Sequence, residues 1–147
     1  MPEAGRAIIR DQVAIGRTAL PWADCTDLAE LMLGRELRSW HEAHGLKGSV
    51  FFNRGITDAA GYLHLCGLPI PAHVGRAAKL FRSPVFIAPP WREILTQETA
   101  RKQDFAEEEA AHPAMVQIYT DLGYGLIPIP MPQVSERVRF VRAHLKA

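Results

Sequence analysis

Val50-Phe51-Phe52-Asn53-Arg54-Gly55-Ile56-Thr57-Asp58 decides the fold class. Three consecutive apolar residues rich in β-formers, bounded by Gly48 and Gly55, predict a short buried strand over residues 49–53. Thr57 is a good N-cap for a helix carrying Ala59, Ala60, Tyr62, Leu63 and Leu65, which Gly67 ends.

The same alternation continues in both directions. Downstream, Pro69 and Pro71 lead to a helix over 72–81, then a second buried strand over 84–88 that Pro89-Pro90 stops. A polar helix over 98–122 follows. Its acidic run Glu107-Glu108-Glu109 reads as a solvated face, and Pro113 should kink or split it. Gly123 precedes a third strand over 124–129, closed by Pro130 and Pro132. Ser135 is expected to cap a last helix whose Arg137, Arg139, Arg142 and Lys146 suit a helix C-terminus. Upstream, residues 3–13 predict a short helix that Gly16 and Pro21-Trp22 break. Asp24 or Thr26 then caps a helix with Leu28, Leu31, Met32, Leu37 and Trp40 on its apolar face, ending near His44-Gly45. Short apolar strands separated by helices imply an α/β fold with a parallel sheet of about three strands. In such folds ligands sit beyond the carboxyl ends of strands, here Asn53-Arg54-Gly55 and Pro89-Pro90-Trp91.

Composition narrows the function. The 147 residues suit a single domain, and 48% hydrophobic with 22% charged residues excludes a disordered tail or a coiled coil. Seventeen Lys and Arg against sixteen Asp and Glu give +1, so no bulk charge draws the chain to nucleic acid or an acidic membrane. No apolar run approaches the ~18 residues of a membrane span. Cys25 and Cys66, 41 positions apart and outside any Cys-x-x-Cys, read as reduced thiols of a cytoplasmic protein, with no bridge expected.

Most catalytic patterns fail. His41 and His44 are three apart rather than four and have no third ligand nearby, so no metal site is expected. No Gly-x-Ser-x-Gly occurs, and no Gly-x-x-x-x-Gly-Lys followed by Ser or Thr. What remains is Glu3-Ala4-Gly5-Arg6, Asn53-Arg54-Gly55, and the arginines 76, 82, 92 and 101. Arginines converging on a strand end suit phosphate.

Pro2-Glu3-Ala4-Gly5-Arg6, Leu20-Pro21-Trp22, residues 50–58, Gly61-Tyr62-Leu63, Gly67-Leu68-Pro69, residues 85–91, residues 101–105 and Leu122-Gly123-Tyr124 form an ordered series over essentially the whole chain. The series resembles the NadR-type AAA domain, a group of small P-loop ATPases similar to nucleotide and nucleoside kinases. That resemblance implies a three-layer αβα P-loop NTPase-like fold, ATP and Mg²⁺, and in some members phosphoryl transfer to a small nucleoside-like acceptor. It makes Glu3 and Arg6 the acceptor-side pair, Asn53 and Arg54 the counterpart of a strand-end Asp-Arg pair, and Arg82 and Arg101 the arginines that close over phosphate.

Four departures qualify the expectation, one being Ala111-His112-Pro113, which interrupts a helix that relatives keep continuous. Set against the family, residues 1–147 start after the second strand, so the chain reads as the C-terminal portion of such a domain, without its first strand and Walker A loop, and Met1 as a start that need not be the biological one. Asn53 stands where the family has Asp, and an amide is neither a carboxylate base nor an anionic Mg²⁺ ligand. Residues 81–84 are arginine-poor where relatives carry several. The polypeptide alone is therefore expected to be inactive, the alternative being a non-catalytic binding or interaction module. The strands over 49–53 and 84–88 are expected either to pair directly or to accept a strand from another chain, and in the second case the open sheet edge would make a homodimer.

Overall fold

The computed structural model describes residues 1–81, 84–92 and 105–145. Two compact units, Met1–Arg82 and Ser83–Ala147, divide the chain.

The first unit is helical. α1 (Gly5–Ala14) and α2 (Cys25–Ala43) bury Ala4, Ile8 and Leu28 in one cluster, with Ile9, Met32 and Tyr62 packed against it. Of the two expected caps, Asp24 is the one that caps α2, its carboxylate accepting from the Asp27 N–H at 2.9 Å. The buried face of α2 is rotated from the expected one. Ala29, Leu33 and Glu36, at i, i+4 and i+7, face inward together with Leu28, whereas Leu31 is exposed.

α3 (Ile56–Leu65) is the centre of this unit and packs against α2 and against α4 (Ala72–Ala77). Ile56, Ala59, Ala60 and Leu63 are buried, as a helix enclosed by neighbours requires. Its N-cap is Gly55, and the expected cap Thr57 lies inside the first turn, fully buried. The reason is Asp58, whose carboxylate takes the Gly55 N–H at 2.9 Å and leaves no capping task for Thr57. α4 is shorter than expected because Lys79 and Leu80 bond three residues back and tighten the chain out of the helix.

Gly67 ends α3 at φ +69°, with the Leu68 N–H reaching the Leu63 carbonyl and the Gly67 N–H reaching that of His64. Nothing lies within 4 Å of a Cβ added at Gly67, so only backbone strain opposes a side chain there. Gly67→Ala should therefore cost about 1 kcal/mol, read as a fall of a few degrees in the thermal midpoint. An unchanged midpoint would show that this turn is not under strain.

Residues 50–53 do not form the strand that the sequence predicts. Among the described residues their one strand-like neighbour is Met1, whose amino group donates to the Phe51 carbonyl while its own carbonyl accepts from the Asn53 N–H at 3.0 Å. A single residue of parallel pairing is too short for a ladder. The segment is also not buried on both faces. Phe52 packs edge-on against Phe81, with ring centroids 4.7 Å apart, while Phe51 is 52% exposed.

The second unit carries the sheet. β1 (Val85–Ile87) and β2 (Leu126–Pro128) pair in parallel, Val85 opposite Leu126 and Ile87 opposite Pro128. The Val85 N–H bonds the Gly125 carbonyl and the Ile129 N–H bonds that of Ile87. Among the described residues the sheet has these two strands rather than three. α5 (Phe105–Asp121) joins them, an α/β connection of the expected kind; residues 98–104 of its expected span lie outside the described residues. Pro113 does not split α5, because it is on the exposed side, where the carbonyl it leaves without an N–H partner can be hydrated. α6 (Val134–His144) starts one residue before Ser135, so Ser135 is inside the helix and Gln133 is its N-cap.

Candidate functional site

Three of the six site residues read from the sequence, Glu3, Arg6 and Arg54, meet at the start of α1 and the turn before α3. Glu3 bridges two arginines, its Oε2 lying 3.6 Å from Arg6 Nε and its Oε1 3.5 Å from Arg54 Nε. Arg54 also reaches Asp58, Nη1 to Oδ1 at 3.3 Å. Asn53 is exposed and contributes its backbone N–H to Met1. Arg82 and Arg101 lie outside the described residues.

Backbone geometry makes this convergence. Arg54 has φ +72° and is the one non-glycine with positive φ among the described residues. A left-handed conformation costs an arginine roughly 1–2 kcal/mol, which its surroundings have to offset. The turn carries the Arg54 guanidinium toward both Glu3 and Asp58, and Gly55 follows in extended conformation to open α3. The two arginines are half-exposed, so their ion pairs add orientation more than stability.

Two further carboxyls, neither among the predicted site residues, lie beneath. Asp58 is buried and divides its oxygens between the Gly55 N–H and Arg54. Glu36 is 3% exposed and accepts a hydrogen bond from the backbone of Ala4, the residue after Glu3. Burial, then the Asp58 charge, pushes the Glu36 carboxyl up to about 7, against the pull of the Ala4 N–H and the amino terminus; Glu3 adds a smaller upward push. Glu36 thus holds the start of α1 in place and changes charge near neutrality. The sequence carried a signal for it, since a glutamate at i+7 from Ala29 and i+3 from Leu33 falls on the buried face of an amphipathic helix.

The other strand end marked by the sequence is built differently. The Arg137 guanidinium stacks over the Trp91 ring at 5.6 Å, a cation–π contact within the second unit. His41 and His44 pack their rings on Trp40, and His44 Nδ1 lies 2.8 Å from the Trp40 carbonyl, an aromatic helix end. Among the described residues no three His, Cys, Asp or Glu side chains are grouped to hold a metal ion. No described helix is long and apolar enough to cross a membrane.

Residues 1–137 match the family model described as AAA domain. No curated protein and no solved structure matches the chain. AAA domains generally use ATP and Mg²⁺. The described residues do not fit that group. The N-terminus of α3 is the place after residues 50–53 where a phosphate would be held, and its Gly55 N–H is taken by the Asp58 carboxylate. The Arg6 and Arg54 guanidinium groups that a triphosphate would need are already engaged by the Glu3 and Asp58 carboxylates.

Proposed function

The chain belongs to the AAA domain family, and from that membership we propose that it is a P-loop ATPase-like protein related to nucleoside-type kinases whose first unit recognises the small acceptor. The observation that carries this reading is the Glu3 carboxylate held between Arg6 and Arg54. A fixed carboxylate accepts hydrogen bonds from vicinal hydroxyls of a ribose, and the flanking guanidinium groups donate to ring or carbonyl acceptors. Glu36 and Asp58 are positioning residues: the first holds Ala4 beside Glu3, the second holds Arg54. Residues 1–147 by themselves do not transfer phosphoryl groups, because that chemistry depends on preorganised phosphate donors, and the turn before α3 offers an occupied cap instead.

Titration of the full chain with nucleosides and, separately, with ATP·Mg²⁺ tests both halves. Nucleosides should bind with Kd of ~1 mM, about −4 kcal/mol, and Glu3→Ala should weaken that at least ~10-fold. ATP·Mg²⁺ should show no site with Kd at or below ~10 μM, about −7 kcal/mol. Absence of nucleoside binding at ~10 mM, or binding indifferent to Glu3→Ala, overturns the acceptor role. A tight ATP·Mg²⁺ site overturns the inactivity.

A further inference from the structure

Cys25 opens α2 and Cys66 is the C-cap residue of α3. The two helices run antiparallel, since Cys25 meets Cys66 at one end of the pair while Glu36 and Asp58 approach each other further along. Sequence spacing gave no hint of this pairing, yet the two Sγ atoms are 2.6 Å apart. Both thiols are free and half-buried, so a small reagent can reach them. The Tyr62 hydroxyl donates to Cys25 Sγ at 3.3 Å, the Cys66 thiol donates to the same sulfur, and the Cys25 thiol donates to the Pro21 carbonyl at 3.5 Å. The Tyr62 hydroxyl and the Cys66 thiol both point at Cys25 Sγ, which places Cys25 as the attacking group of the pair. Burial and the Cys25 contact push the Cys66 thiol up to about 11, so at neutral pH it stays a donor.

We propose that Cys25 and Cys66 are a reversible thiol–disulfide site that exchanges with a low-molecular-weight disulfide and locks the start of α2 to the end of α3. The Cys25 thiolate attacks one sulfur of the reagent, breaking its S–S bond and releasing one half as a thiolate. Cys66, giving up its proton, then attacks the Cys25 sulfur and expels the second half. Two protein thiol protons end on the two released thiols, and two electrons pass to the reagent. The lock closes a loop running from the second helix to the end of the third. It fixes the pair of helices that carry Glu36 and Asp58, which lie roughly 12–16 Å along them from the cysteines. The site does not depend on the acceptor reading above.

The chain has two cysteines, which makes the test unambiguous. The full protein is equilibrated with glutathione buffers of graded redox ratio, quenched by alkylation and weighed intact. The expected product is a monomer that has lost two hydrogens, takes up no alkylating reagent, and returns to the dithiol with reduced glutathione. Its thermal midpoint should rise by on the order of 10 °C over the reduced form. Cys66→Ser should instead stop at one glutathione on Cys25 with no such rise, and Cys25→Ser should be glutathionylated more slowly on Cys66. Two glutathiones on the wild type, a disulfide-linked dimer, or two free thiols under oxidising buffer would each overturn the proposal.

Discussion

Replacing Glu36 by glutamine is expected to stabilise the protein at pH 8 by on the order of 3 kcal/mol while changing little at pH 4. In the folded protein burial and the Asp58 charge hold the Glu36 carboxyl up to about 7, against 4.5 for the free group. Between those values the folded state keeps a proton that the unfolded state has lost. Folding therefore binds protons in this window, and the contribution of Glu36 is fully present below 4.5 and lost as pH rises through 7. Glutamine is neutral throughout and its carbonyl can still accept from Ala4. Denaturant unfolding of both proteins from pH 4 to pH 8 measures the difference. It should open as pH rises and level off above neutrality. Parallel stability curves would mean that Glu36 ionises in the fold as freely as in water.

Asp58→Ala should be the most damaging single change in the site, destabilising by about 2–3 kcal/mol. It removes the acceptor of the buried Gly55 N–H, uncaps α3, and takes a partner from Arg54, which already has an unfavourable backbone conformation. Asp58→Asn keeps an acceptor for Gly55 and should cost less. It also removes a negative charge that raises Glu36, so the Glu36 carboxyl should titrate below 7 in that variant. Guanidinium unfolding gives the stability loss and carboxyl NMR titration gives the Glu36 shift. An Asp58→Ala loss under ~0.5 kcal/mol would show that the cap contributes nothing. The Glu36→Gln and Asp58→Asn effects should be non-additive, since each change relieves the repulsion that the other relieves.

The helix ends were legible because local chemistry fixes them. Asp24 caps α2 by a contact three residues away, and Gly67 ends α3 by its own φ. Glu3 forms ion pairs with Arg6 and Arg54, a convergence that the resemblance, which assigns these residues to two separate pairs, does not itself state. Glu36 is not legible as a site residue, because a helix periodicity weighs apolar residues and leaves a glutamate on the buried stripe without a role. The structure gives it one through Ala4 and Asp58, contacts 32 and 22 residues away in sequence.

The sequence by itself determined the order of the helices and the places of the two strands, since these follow from short-range periodicity, caps and breakers, while the family rests on the ordered motif series matched over residues 1–137. Tertiary structure alone decided three things. Residues 50–53, β-forming by composition, form no ladder among the described residues, since strand formation needs a hydrogen-bonded partner along its length and here only the Met1 backbone groups bond Phe51 and Asn53. Cys25 and Cys66, far apart along the chain, touch because α2 and α3 are antiparallel, and no local pattern encodes that packing. Glu36 titrates near neutrality because desolvation and a neighbouring carboxylate are properties of the assembled interior, where a charge that is cheap in water becomes costly.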